Sequence, residues 1–189
     1  MSEITETDRA FLGGGRIDEH RPFRPVSLAV LTVSDTRDEE SDTSGDVLAK
    51  RIEAAGHSLA RRAIVRDDID AIRAKVMGWI KTGEIDAIVT TGGTGITGRD
   101  VTPEAIEPLL HKRIDGFSTI FHMLSYQTVG LSTLQSRALA GIIDGVFIFC
   151  LPGSNGAVKD GWDKVIRWQL DSRHGPCNMV ELMPRLKEK

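Results

Sequence analysis

The segment TTGGTGITGRD, residues 90–100, concentrates groups suited to holding a phosphorylated small molecule. Gly92, Gly93, Gly95 and Gly98 let the backbone take positive φ and come close to a ligand, so that successive N–H groups can face an anion. Thr90, Thr91, Thr94 and Thr97 add hydroxyls, and Arg99 adds a positive charge. Gly93-x-Gly95-x-x-Gly98 spells the dinucleotide fingerprint, but it follows the third expected strand rather than the first, and no acid-tipped strand comes at the right distance after it. A P-loop fails too, because Arg99-Asp100 stands where Lys-Ser or Lys-Thr is needed. Asp100 is the sharpest single candidate. A carboxylate beside a phosphate cradle is repelled by the bare anion, so a cation such as Mg2+ between them would give it a purpose. The competing reading is a charge serving the dipole of the helix that opens at Thr102.

Other candidates recur at the ends of apolar runs. Ser34-Asp35-Thr36 follows the first run, and an acidic loop leads on to Asp42-Thr43-Ser44-Gly45. Asp67-Asp68 follows the second, and Leu151-Pro152-Gly153-Ser154-Asn155-Gly156 ends the last. Asp67 is either a helix cap or a second acidic group of the site, and Ser154 and Asn155 either donate to a ligand or cap the final helix. Asp35, Asp38 and Asp42 read as mostly solvated. His20, His57, His111, His122 and His174 show no metal-ligand spacing, and neither a CxxC pair nor a GxSxG elbow occurs.

These positions must be carried by strands and helices, and the sequence sets out the order. Residues 26–34 form a nearly continuous β-branched apolar run, as in a strand buried on both faces. A helix follows with Thr43 or Ser44 as N-cap, Val47, Leu48, Ile52 and Ala55 inward, and Gly56 past its end. Residues 59–65 give a second strand. Asp67 or Asp68 caps a helix with the stripe Ile69, Ile72, Val76 and Ile80, and residues 85–91 give a third strand. Such alternation implies a parallel sheet with ligands at the carboxyl ends of its strands, where four unusual loops share one rim. Beyond the glycine-rich loop, Thr102 caps a short helix with Pro103 at its first position, and residues 117–128 form a helix with Phe117, Ile120, Phe121 and Leu124 on one face. Asp144-Gly145 between apolar runs signals a hairpin, and residues 157–170 form the last long helix. The expected fold is α/β, a three-layer sandwich with a central mostly parallel sheet and an antiparallel hairpin element.

The 189 residues fit one domain, 26–180, behind a mobile N-terminal arm, 1–25, with a C-terminal tail, 181–189. With 40% hydrophobic and 27% charged residues, the chain can bury a core in water. A net charge of −3 argues against a general nucleic-acid binder, so any phosphate site must be local. No apolar run approaches a membrane span, and the first residues lack a secretory pattern. Cys150 lies in an apolar run as a core thiol, so the cytoplasm is the expected location.

Five segments together resemble the molybdopterin-binding family: VSD (33–35), TSG (43–45), TTGGTGITGRDVTPEA (90–105), STLQSRALAG (132–141) and LPGSNGA (151–157). The resemblance runs from about residue 26 to 180, and its glycine-rich block is highly specific. It implies binding of molybdopterin and, in active members, transfer of the adenylyl group of MgATP onto its terminal phosphate. Asp100 would hold Mg2+ and Asp67 would be a second acidic catalytic position. Thr91, Gly92, Gly93, Thr94 and Gly95 would cradle phosphate, with Ser34, Gly153 and Ser154 lining the pterin-phosphate pocket. Where adenylyltransferase members carry LPG followed by x-Pro, this chain has Ser154-Asn155-Gly156, which would loosen the loop. A molybdopterin-binding or carrier protein with little transfer activity is the alternative. The resemblance also implies a trimer or a hexamer, in contact with other proteins of the cofactor pathway. The apolar excess of residues 117–131 suits such an interface.

Overall fold

A computed structural model describes residues 15–188. Strand β1 (Arg16–Ile17) is followed by β2 (Ser27–Val33), α1 (Thr43–Ala54), β3 (Ser58–Val65), α2 (Ile69–Thr82) and β4 (Ala87–Thr91). After the glycine-rich loop come α3 (Thr102–Ile106), β5 (Lys112–Arg113), α4 (Asp115–Val129), and the hairpin β6 (Leu139–Ile143) and β7 (Val146–Leu151). The chain ends in α5 (Asn155–Gly161), a π-helical turn (Trp162–Ile166), α6 (Arg167–Gln169), β8 (His174–Gly175) and α7 (Met179–Leu182).

Six strands make one sheet in the order β3-β2-β4-β7-β6-β5. The pairs β3/β2, β2/β4 and β4/β7 are parallel, while β7/β6 and β6/β5 are antiparallel. The reversal is made by Asp144 and Gly145, at φ 48° and 82°, the left-handed pair that a two-residue hairpin turn demands. Alternate residues of β2 feed two cores. Leu28 and Val30 join Leu48, Ile52, Phe117, Phe121, Phe149 and Trp162 on one face. Ala29 and Leu31 join Ile72, Val76, Trp79, Ala105 and Ile106 on the other. Helices on both faces of a central sheet make three layers, which is why β2, β4 and β7 read as unbroken apolar runs. Leu48→Ala in this packing would cost about 2–5 kcal/mol.

Several local expectations change. Asp42, not Thr43 or Ser44, caps α1: its carboxylate accepts from Gly45 N at 3.0 Å. Asp68 caps α2, accepting from Ala71 N at 2.8 Å, and Asp67 is left for other work. Val101 occupies the cap position of α3 and has no side-chain oxygen to make a cap bond, while Thr102, expected there, lies inside the helix and donates its hydroxyl to the carbonyl of Gly92 at 2.9 Å. The third strand starts at Ala87 rather than 85. On α4 the inward residues are Phe117, Phe121 and Ser125, with Ile120 half exposed. Part of the expected arm lies along the body, where its backbone groups find partners. Residues 16 and 17 pair antiparallel with 175 and 174, and Ser172 Oγ donates to Pro22 O at 3.0 Å. Residues 1–14 of that arm lie outside the described residues. Past Arg173 the chain forms β8 and α7.

Candidate functional site

Parallel pairing brings the carboxyl ends of β2, β3, β4 and β7 to one rim, and the loops beyond them interlock. Gly92 N donates to Leu151 O at 3.1 Å, and Thr102 N donates to Gly93 O at 2.8 Å. Gly92 and Gly93 have φ of 98° and 61°. A Cβ at Gly93 would stand 2.7 Å from Asp67 Oδ1 and nearer still to Thr102 Oγ1, so this backbone passes directly against the freed carboxylate. A Cβ at Gly153 would sit 3.2 Å from Gly92 Cα, which brings the LPGS loop onto the glycine loop.

The charges of three carboxylates act on one another there. Burial pushes the Asp67 carboxyl above its ordinary value, and the neighbouring charges of Asp35 and Asp100 push it further, with Arg99 offsetting part. Arg99 itself forms an ion pair with Asp35 across the mouth of the site. The carboxylate of Asp100, the residue expected to hold Mg2+, is engaged within its own turn. Its carboxylate accepts from Thr97 Oγ1 at 2.6 Å and from Thr97 N at 3.1 Å. The Thr97 hydroxyl above all, with the Thr97 and Gly95 amides, holds that carboxyl below its usual range despite partial burial. Two of the amides expected to face a ligand are thus used internally: Gly92 N by Leu151, Gly95 N by Asp100.

The remaining expected residues divide. Thr91 Oγ1, buried, donates to Ser44 Oγ at 3.2 Å and to Pro152 O at 3.3 Å, binding β4 to α1 and the LPGS loop. Thr94 is buried, and its carbonyl accepts from Arg137 N at 3.0 Å. Ser34 Oγ accepts from Thr36 N and Arg37 N, both at 3.2 Å, and shapes its own turn. Ser154 caps α5, accepting from Ala157 N at 3.1 Å. Thr43 Oγ1 donates to Asn155 Oδ1 at 3.1 Å, which ties the segment after Gly153 to the start of α1.

Sequence reading missed Asp42 and Arg37. Asp42, taken for a solvated loop residue, has no exposed surface. Burial alone would push its carboxyl up, but bonds from Arg62, Thr32 and Gly45 outweigh it and hold it below the usual range. Thr32 Oγ1 and Arg62 Nη2 donate to it at 2.7 and 2.8 Å. Arg37 binds Ser44 Oγ and donates to Gly153 O at 3.0 Å, joining three loops of the rim. The available signal was the placement of Asp42 three residues before a glycine at a helix start.

The arrangement offers hard oxygen ligands beside close-approach backbone. Among the described residues, no three of His, Cys, Asp and Glu cluster closely enough to hold a metal by themselves. Magnesium commonly takes only one or two carboxylates, with the rest of its shell from water and substrate phosphates, and Asp67 and Asp100 are the carboxylates that could contribute to such a shell.

A mixed six-stranded sheet with such a rim defines a class that sequence comparison also identifies. Residues 29–172 match the family described as "Probable molybdopterin binding domain", and the chain belongs to that family. It is 45% identical over 166 residues to molybdenum cofactor biosynthesis protein B of Escherichia coli K12, covering 88% of this chain and 96% of that one. The counterpart from Bacillus subtilis is 44% identical over 153 residues, covering 79% and 90%. A crystal structure of molybdenum cofactor biosynthesis protein B superposes with a TM-score of 0.80 at 36% identity, over 89% of this chain and all of that one. The tungsten cofactor synthesizing protein MoaB of Pyrococcus furiosus gives 0.73 at 34% identity, covering 87% and 99%.

Proposed function

We propose that this chain acts in molybdenum cofactor biosynthesis, binding molybdopterin and transferring to it the adenylyl group of MgATP. In that step an oxygen of the terminal phosphate of molybdopterin forms a bond to the α-phosphorus of ATP. The bond from that phosphorus to the oxygen bridging the β-phosphate breaks, and pyrophosphate leaves with its electron pair. The observation that carries the reading is the Asp67 carboxylate, released from capping by Asp68, set against Gly93 and pushed up first by burial and then by the charges of Asp35 and Asp100. Like charges gathered on one rim are costly unless a cation joins them. Magnesium held by Asp100 and Asp67 would neutralise phosphate charge as pyrophosphate departs. In this reading phosphate lies against the backbone of Gly93 and Thr94, while Gly92, Gly95 and Thr91 shape the cradle through their internal bonds, and the loops of Ser34, Gly153 and Ser154 form the pterin side. Arg37 braces these loops.

Binding of molybdopterin without transfer is the second reading, favoured by the engagement of the Asp100 carboxylate with Thr97. The test is adenylylated product per minute from pure protein with molybdopterin and saturating MgATP. Transfer predicts product, and Asp100→Asn lowers the rate roughly 10²-fold or more. Equal rates remove Asp100 from the mechanism, and no product from either protein favours the binder. Self-association as a trimer or hexamer, contact with other proteins of the pathway and a cytoplasmic location complete the proposal. Among the described residues, no helix is long and apolar enough to cross a membrane.

A further inference from the structure

The STLQSRALAG segment carries family likeness but no role in the chemistry above, and it ends in a side chain that reaches the site's loop. Arg137 lies two residues before β6. Its backbone N donates to Thr94 O at 3.0 Å, and its Nε donates to the same carbonyl at 3.2 Å. Nη2 donates to Asp100 O at 3.0 Å, and Nη1 binds the Glu104 carboxylate. One guanidinium thus grips both ends of the turn 94–100 and the helix that follows it. Within that turn the bonds are local, Asp100 N to Thr97 O at 3.1 Å and Thr97 to the Asp100 carboxylate, and besides Arg137 its tie to another loop is the solvent-exposed pair of Arg99 with Asp35. Ile96, Thr97, Gly98 and Arg99 are exposed. The turn therefore has little packing of its own, and its placement depends on what ties it to the body.

We propose that Arg137 is a positioning residue of the site, a fork that fixes the turn 94–100 on the sheet and thereby sets where the Asp100 carboxylate stands relative to Asp67. The inference rests on the transfer reading for its catalytic consequence, but the clamp itself does not. A fork is needed because the two carbonyls and the carboxylate lie in different directions. Arginine presents five fixed donors, and lysine offers a single charged point that cannot bridge them. Glu104 aligns the fork. The Arg137 hydrogen bond holds the Glu104 carboxyl below its ordinary value, so it stays ionised and in place. The base of the clamp is itself anchored, with His122 Nε2 3.0 Å from Ser136 O.

The experiment compares wild type, Arg137→Lys and Glu104→Gln. Amide hydrogen exchange of residues 94–100 without ligand reads the clamp, thermal unfolding controls for folding, and kcat and KM for molybdopterin read its consequence. Arg137→Lys should speed exchange in the turn roughly tenfold, with exchange in β2 and β4 unchanged. It should lower kcat roughly 10²-fold, the scale of an ångström-sized misplacement, with KM for molybdopterin within about twofold. Glu104→Gln, which keeps the fork and weakens its alignment, should fall between the two. Exchange in the turn equal to wild type in Arg137→Lys overturns the clamp. Faster exchange with undiminished kcat overturns the positioning role. A wild type that makes no product defeats the transfer reading instead, and the exchange comparison still decides the clamp.

Discussion

Asp67 shows how a single residue is committed to a site by its neighbour. Because Asp68 takes the cap, Asp67 is free to lie against Gly93 beside Asp35 and Asp100. Its folded carboxyl is raised above the ordinary aspartate value of 3.8, so the folded chain holds that proton more tightly than the unfolded one. The stabilising contribution is fully present below that ordinary value and is lost as pH rises through the raised one. Asp67→Asn should therefore raise Tm at pH 7, and the gain should vanish when unfolding is followed near about pH 3. The same substitution should lower adenylyl transfer sharply. A variant that is more stable and less active is the outcome expected of a carboxylate kept for chemistry. Unchanged Tm at neutral pH would deny the like-charge strain.

At the scale of elements, the loops of the rim are held by turns that admit no side chain and by one buried anion. Gly93→Ala must place a Cβ at φ 61° against Asp67 and Thr102. The left-handed conformation alone costs about 1–2 kcal/mol, and the displaced loop should also lose affinity for inorganic pyrophosphate, read by calorimetry. Asp42 is the opposite case, an anion whose partners surround it. Asp42→Ala strands Arg62 and Thr32 and uncaps α1, so denaturant unfolding should show a loss on the order of 3 kcal/mol. Its folded carboxyl is depressed. That contribution is present above the ordinary value of 3.8 and is lost as pH falls through the lower folded one. Acid should thus narrow the gap between wild type and Asp42→Ala. Arg37, gripping Ser44 and Gly153, carries the order of α1 into the LPGS loop.

For the whole molecule, the outer face of α4 and the turn after it decide what the single chain leaves unfinished. Ile120, Met123, Tyr126, Val129, Leu131 and Leu134 are all at least half exposed. The inward face of α4 needs only Phe117, Phe121 and Ser125. Water-facing residues of this size within one short stretch favour burial against further copies of the chain. Sedimentation should show a trimer or hexamer at micromolar concentration, and Met123→Glu with Leu134→Glu should shift it to monomer with the fold intact. A wild-type monomer would remove the assembly.

By itself the sequence determined the layers and the rim. Residues 26–34, 85–91 and 146–151 are mostly apolar without strict alternation, and a sheet covered on both sides is what uses such runs. The interleaved helical stripes require parallel crossovers, so the loops after the strands had to share an edge. Local propensity could not choose between Thr43, Ser44 and Asp42, or between Asp67 and Asp68, because each is a competent cap taken alone. The choice was made by contacts distant in sequence. Thr32 and Arg62 drew Asp42 into the interior, and the approach of Gly93 to Asp67 accompanies the cap at Asp68. The place of Asp100 was likewise beyond local reading. Its carboxylate turns back onto Thr97 and Gly95, and Arg137 grips its carbonyl from 37 residues away. Hydrogen-bond partners of buried polar groups are assigned by the packed chain, where each unmade bond has a cost that solvated loops never meet.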